Sequence, residues 1–160
     1  MRLLMDAYVQ ALTWLARREL SERQVRERLA RRGVVDEEIE AAVTRLIHER
    51  AIDDRRVALA CARSAVRLKG RGRERVRRAV EAMGIARDVA RAAVDEVFAE
   101  VDEASLIERA LTKRWPKVGE PDRREVQRIY AALIRQGFPA DRVLQAIRLR
   151  RTAHADSIEN

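Results

Sequence analysis

The chain has 160 residues, of which 47% are hydrophobic and 38% charged, with only 4% aromatic and three prolines. This balance favours helix over sheet and a core of aliphatic side chains. The net charge is +8, from 34 basic and 26 acidic residues, and its uneven spread along the chain suggests a charged partner, such as nucleic acid or an acidic protein groove, with a solvated face of an Arg-rich protein as the alternative. Cys61 is the single cysteine, so no intramolecular disulfide can form, which fits a reducing compartment. Residues 1–11 lack the pattern of a secretory signal, and no stretch approaches the length of a membrane span. The expectation is a soluble, cytoplasmic monomer.

The first helix is predicted over residues 5–18, where Ala7, Ala11, Trp14 and Leu15, with Tyr8 and Leu12, form an apolar stripe. Leu20-Ser21-Glu22-Arg23-Gln24-Val25 reads as the next helix start. Ser21 caps, Gln24 completes a capping box, and Leu20 staples onto Val25. Asp36 is expected to cap a third helix, with Glu37 and Glu38 in its first turn. A second set opens at Asp53-Asp54, runs through Val57, Leu59, Ala60, Ala65 and Leu68, and breaks at Gly70-Arg71-Gly72. Helices over 73–82 and 87–99 follow. A third set starts near Asp102 and runs through Ala104, Ile107, Ala110 and Leu111 to Trp115. After a proline-bounded loop over 116–121 come helices near 122–135 and 140–151. Residues 152–160 lose the pattern and read as a frayed tail.

These sets are copies of one another. Align the chain on Gly33, Gly84 and Gly137, which stand 51 and 53 residues apart. Eight positions before each glycine stand Val25, Val76 and Ile129; four before stand Leu29, Val80 and Leu133. One after stand Val34, Ile85 and Phe138; six after, Ile39, Ala90 and Val143; ten after, Val43, Val94 and Ile147. The spacings of four put each pair on one helix face, and the glycine ends the helix in a left-handed conformation. The predicted fold is all-α: three tandem three-helix, helix-turn-helix-like repeats over 1–51, 52–101 and 102–151, in an elongated, curved arrangement, with a tail over 152–160.

Charge is distributed unevenly along this frame. Residues 63–78 carry eight basic side chains (Arg63, Arg67, Lys69, Arg71, Arg73, Arg75, Arg77, Arg78) against Glu74 alone. Residues 88–103 are acidic, with six carboxylates against Arg91. Catalytic signals are absent: His48 and His154 share no motif with Cys61, which reads as a small core residue, and the set is poor for a metal. No cofactor is expected. Gly70-Arg71-Gly72 lacks the preceding strand and following Lys-Ser/Thr of a nucleotide loop. Its amides and flanking cations could either hold an anion or form an ordinary connection. Trp14 and Trp115 read as packing residues rather than base-stacking platforms.

Several segments resemble the RecX family. They are Leu15-Ala16-Arg17-Arg18-Glu19-Leu20-Ser21 leading to Arg28-Leu29-Ala30-Arg31-Arg32-Gly33, then Ile52-Asp53-Asp54-Arg55-Arg56-Val57-Ala58, then Lys69-Gly70-Arg71-Gly72-Arg73 leading into Arg75-Val76-Arg77. Ile134-Arg135-Gln136-Gly137-Phe138 and the helix after it are similar more loosely. Val57 stands where the family often has Phe, and Met83 replaces a basic residue before Gly84. The resemblance spans about residues 7–150. It implies a non-enzymatic regulator that binds RecA or the RecA–DNA filament and inhibits recombinase and ATPase activity, with at most weak non-specific DNA contact. On that reading the contact candidates are Arg31, Arg32, Arg67, Lys69, Arg71, Arg73, Arg75, Arg77 and Arg78.

The competing expectation is a tandem helix-turn-helix DNA-binding regulator. Asp36, Glu37, Glu38 and Glu40 in copy one, and Asp88 and Asp95 in copy two, stand on the helices that would read bases, which disfavours it there. Copy three, with Arg142, Gln145 and Arg148, is the exception.

Overall fold

The structure is a computed structural model that describes residues 2–158, with side chains over residues 7–153. The described residues form nine helices and no strand. They are α1 (Arg2–Leu15), α2 (Glu22–Arg31), α3 (Asp36–His48), α4 (Asp54–Lys69), α5 (Arg73–Glu81), α6 (Arg87–Ala99), α7 (Glu103–Thr112), α8 (Arg123–Gln136) and α9 (Ala140–Ile158). None is long and apolar enough to cross a membrane.

The repeat columns are the core. Of the fifteen aligned apolar positions, fourteen are buried, and Val34 is half-buried against the first core cluster. Each helix-ending glycine has a positive φ: +78° at Gly33, +80° at Gly84 and +99° at Gly137. The turn geometry explains the column just after the glycine. The Val34 amide donates to the Leu29 carbonyl at 3.2 Å, and the Gly33 amide to Ala30 at 2.9 Å. Phe138 and Gly137 make the same two bonds, to Leu133 and Ile134. This doubly bonded stop folds the next apolar side chain back over the helix end.

The chain divides into two units. One is Met1–Ala62 with Ala79–Val94; the other is Arg63–Arg78 with Asp95–Asn160. Helices α4, α5 and α6 contribute residues to both. In the first unit, α1, α2 and α3 pack on one another around Ala7, Ala11, Leu20, Val25, Leu29, Val43 and Leu46. In the second, α7, α8 and α9 pack on one another around Leu106, Ile107, Leu111, Leu133, Val143 and Ile147. Burying each leucine contributes about 1.5–3 kcal/mol.

Ser21 caps α2 as its sequence predicts, with the full capping box to Gln24. It also donates its hydroxyl to the Met83 carbonyl at 2.5 Å, and it is fully buried. Ser21→Ala should therefore cost about 1–2 kcal/mol, the upper range for a lost cap, with a matching drop in the midpoint of a urea melt. The N-terminal amide of α2 at Glu22 donates to Asp54 at 2.8 Å. Burial raises the Asp54 carboxyl above its ordinary value of 3.8, against that bond. A raised value favours the neutral form in the fold. The gain is complete below the ordinary value and is lost as pH rises through the raised one. Asp54→Asn keeps the acceptor without the charge, so it should melt higher than the parent at pH 7 and equal it near pH 3.

The structure differs from the sequence expectations in five places. Val35, not Asp36, stands at the N-cap of α3, with no side-chain cap bond, and Asp36 lies in the first turn. The α3 dipole is served by three acids, so it needs no capping oxygen. Helix α1 runs over 2–15 rather than 5–18. Cys61 is half-buried rather than a core residue. Leu68 is 80% exposed and Ala60 is exposed, because the inward stripe of α4 runs through Val57, Ala58, Ala62, Ala65 and Val66. Finally, α9 continues past Arg151 to Ile158, so the helix extends through a segment whose apolar pattern has ended. Residues 159–160 of the expected tail lie outside the described residues.

Candidate functional site

The cation-rich segment begins in the last turn of α4 with Arg67 and Lys69, where the helix dipole favours positive charge. Gly70, at φ +55°, turns the chain. Arg71 and Gly72 then lead into α5. Within the second unit, a groove of about 680 Å³ runs along this turn, lined by Arg67, Leu68, Lys69, Glu100, Asp102, Arg109 and Lys113, with Gln136 at one side. Arg109 and Lys113 are additions that sequence reasoning missed. Their spacing of four at the C-terminal end of α7, with Lys113 at its C-cap, was the available signal.

Asp102 does not neutralise these cations by direct pairing. Its carboxylate accepts from the Ser105 amide at 3.2 Å and from the Ser105 hydroxyl at 2.5 Å. The hydroxyl bond, above all, holds it below the ordinary aspartate value, so it stays ionised as the cap of α7. Arg67, Lys69, Arg71, Arg109 and Lys113 make no ion pair among the described residues. Four cations thus face two carboxylates across the groove. The exposed Leu68 side chain between two of them adds an apolar element.

The remaining members of the basic run are engaged in the fold. Arg73 pairs with Asp95 at 2.5 Å and lies 4.8 Å from the centre of the Phe98 ring. Arg75 donates to the Arg135 carbonyl at 2.9 Å. Arg77 and Arg78 both reach Glu74, at 2.7 and 3.0 Å. The Glu74 carboxylate is held below the ordinary glutamate value, chiefly by Arg77. Arg63 sits 3.9 Å from Glu96. Arg31 and Arg32 belong to the first unit, exposed at the end of α2. Arg31 donates to the Glu27 carbonyl at 3.1 Å, and Arg32 lies 5.8 Å from the centre of the Trp14 ring.

The structure also decides the role of the glycine pair. The Gly72 amide donates to the Gln136 carbonyl at 2.9 Å and the Glu74 amide to the Gly137 carbonyl at 3.2 Å. A Cβ on Gly72 would stand 2.4 Å from the carbonyl carbon and oxygen of Gly137. These amides are therefore not free to cradle an anion: the pair is a close contact between two backbone segments. Trp14 packs against the first core cluster as expected; both tryptophans are half-buried, with Arg28 over Trp14 and Arg150 over Trp115 at 5.7 and 5.4 Å. Among the described residues no group of His, Cys, Asp or Glu could hold a metal ion.

Comparison with known proteins points to the RecX regulatory proteins. Family models for the first and third three-helix domains of RecX match residues 7–46 and 100–147. A regulatory protein RecX from Halorhodospira halophila is 37% identical over 139 residues, covering 85% of this chain and 83% of that protein. One from Geobacillus thermodenitrificans is 33% identical over 135 residues, covering 82% of this chain and 49% of that protein. The chain therefore spans about half the length of its Geobacillus relatives. Two solved structures share the fold. RecX from Lactobacillus salivarius superposes with a TM-score of 0.83 at 18% identity, over 92% of this chain and 96% of that one. A second regulatory protein RecX gives 0.78 at 22% identity, over 88% of this chain and 69% of that one.

Proposed function

This chain belongs to the RecX family of regulatory proteins, and from that premise we propose that it binds RecA assembled on DNA and inhibits it without chemistry of its own. The observation that carries the reading is the groove whose cations lack ion-pair partners. Four cations without ion-pair partners line the groove against two carboxylates, with Arg71 next along the chain; this excess suits an anionic surface, and its field would steer encounter. A protein–DNA filament presents acidic side chains and phosphates together, so several weak contacts would act at high effective concentration. Arg67, Lys69 and Arg71 lead the contact set, with Arg109 and Lys113. Arg73, Arg75, Arg77 and Arg78 support the segment's shape and contribute charge at its margin. The repeats over 1–51, 52–101 and 102–151 are the modules in this reading, and the chain acts as a monomer.

One observation favours a direct duplex contact as a second reading. Helix α9 exposes Arg142, Gln145 and Arg148, the residue types that read base edges. Exposed Asp36, Glu37 and Glu40 on α3, and Asp88 and Asp95 on α6, oppose it in the other copies.

The test is ATP hydrolysis by the cognate RecA on single-stranded DNA as the full chain is added. Hydrolysis should fall with added chain, and the chain alone should hydrolyse none. An undiminished rate at excess chain contradicts the reading.

A further inference from the structure

The repeat carries a junction as well as a core. In the first unit, the end of α5 is covered by the start of α2. The Ser21 hydroxyl donates to the Met83 carbonyl, and the Arg23 side chain fills the space a Cβ on Gly84 would need, with its own Cβ 2.7 Å from that point. In the second unit, the end of α8 is covered by the start of α5. Gly72 donates to the Gln136 carbonyl, Glu74 to Gly137 and Arg75 to Arg135. Ser21 and Gly72 each stand twelve positions before their own copy's glycine, Gly33 and Gly84. Met83 and Gln136 each stand one before theirs. The same rule therefore operates twice: the N-terminal end of one copy's second helix donates to the last carbonyls of the next copy's second helix.

The end of α2 at Gly33 is the third member of this series. Nothing lies within 4 Å of the position its Cβ would take. The carbonyls of Arg31, Arg32 and Gly33 accept no hydrogen bond from another element among the described residues. Helix-end carbonyls are strong acceptors that need a partner or water. Beside them, Arg31 and Arg32 are exposed, and Trp14 holds Arg28 and Arg32 over its ring.

We propose that the Gly33 end of α2 is a docking surface for the N-terminal end of a helix on a partner protein, one with a hydroxyl or amide donor at its cap and acidic residues in its first turn. The donor is required by the two filled junctions. The acid is required by Arg31 and Arg32, and it also suits the partner helix's own dipole. A second copy of this chain does not meet these terms through α8. That helix is capped by the Asp122 carboxylate, which accepts from Glu125, while its own amide is taken by the Glu125 carboxylate. Its first turn also carries Arg123 and Arg124. This surface is independent of the cation groove and does not rest on the identity of the partner proposed above.

The probe is a synthetic alanine-rich helical peptide with Ser at its cap and two glutamates in its first turn, titrated into the full ¹⁵N-labelled chain. Saturable amide shifts should centre on Arg31 to Val35. An Ala-capped peptide should bind about fivefold more weakly, the effect of ~1 kcal/mol for one hydrogen bond. Gly33→Asn keeps a residue that tolerates positive φ and fills the open space, so it should abolish the shifts while leaving the rest of the spectrum folded. The proposal is overturned by no shift at those amides, by equal binding of the Ala-capped peptide, or by shifts centred on Arg67, Lys69 and Arg109. RecA inhibition can fail independently of all three outcomes.

Discussion

Gly72→Ala is expected to lower the melting temperature by about 6–12 °C. The added Cβ would stand 2.4 Å from two backbone atoms of Gly137 and 2.6 Å from the Phe138 nitrogen. None of these is the end of a flexible side chain, so the two segments must part. Overpacking of this kind costs about 3 kcal/mol at the upper end of its range, and each kcal/mol moves the midpoint of a chain this size by about 2–4 °C. The bonds from Gly72 to Gln136 and from Glu74 to Gly137 would weaken with it. Gly72 does not have a positive φ, so its requirement is space alone. Gly33→Ala isolates the opposite term, with open space and a φ of +78°, and should cost only the ~1–2 kcal/mol of left-handed strain. Calorimetry that finds Gly72→Ala within 2 °C of the parent, or less harmful than Gly33→Ala, contradicts the junction described above.

The combined variant Arg67→Glu, Lys69→Glu, Arg109→Glu is expected to weaken binding to RecA filaments on single-stranded DNA by about 100-fold, from ~1 kcal/mol for each lost charged contact. Its melting temperature should fall by only a few degrees: the three reversals put negative charge in the last turns of α4 and α7, but none of the three has an ion pair to lose among the described residues. Reversal at Arg73, Arg75 and Arg77 is the contrast. It breaks the Asp95 pair, the Arg135 carbonyl bond and the Glu74 pair, so lost stability accompanies any lost binding. Unchanged filament affinity of the first variant, measured by fluorescence anisotropy of labelled chain, would place the working surface elsewhere.

Local rules made the helices and their core legible in advance. Val25, Leu29, Val76, Val80 and Leu133 declare their inward face by a spacing of four, and all are buried. The stops at Gly33, Gly84 and Gly137 declare themselves by residue type, and all three have positive φ. Ser21 and Gln24 announce a capping box that is present. What sequence spacing could not show was anything that joins distant segments. Gly70-Arg71-Gly72 has the composition of an anion-binding turn, yet Gly72 is bare because Gly137, far along the chain, passes against it. Arg73 and Arg75 look free in a run of like charge, but Asp95 and the Arg135 carbonyl come from other elements. Arg109 and Lys113 gain meaning only beside Arg67 and Lys69. Leu68 fits the apolar stripe within its helix tolerance, and only the packed neighbours show that it points outward.

Under the proposed function, this chain recognises RecA on DNA rather than DNA itself. The most direct measurement is the affinity of the labelled full chain for three targets, namely RecA filaments on single-stranded DNA, the same DNA bare, and duplex DNA, each across a range of salt concentrations. The account predicts tight filament binding that persists at physiological salt, with weak bare-DNA binding that falls steeply as salt rises, as counterion release requires. Tight, sequence-selective duplex binding with no preference for the filament would contradict it.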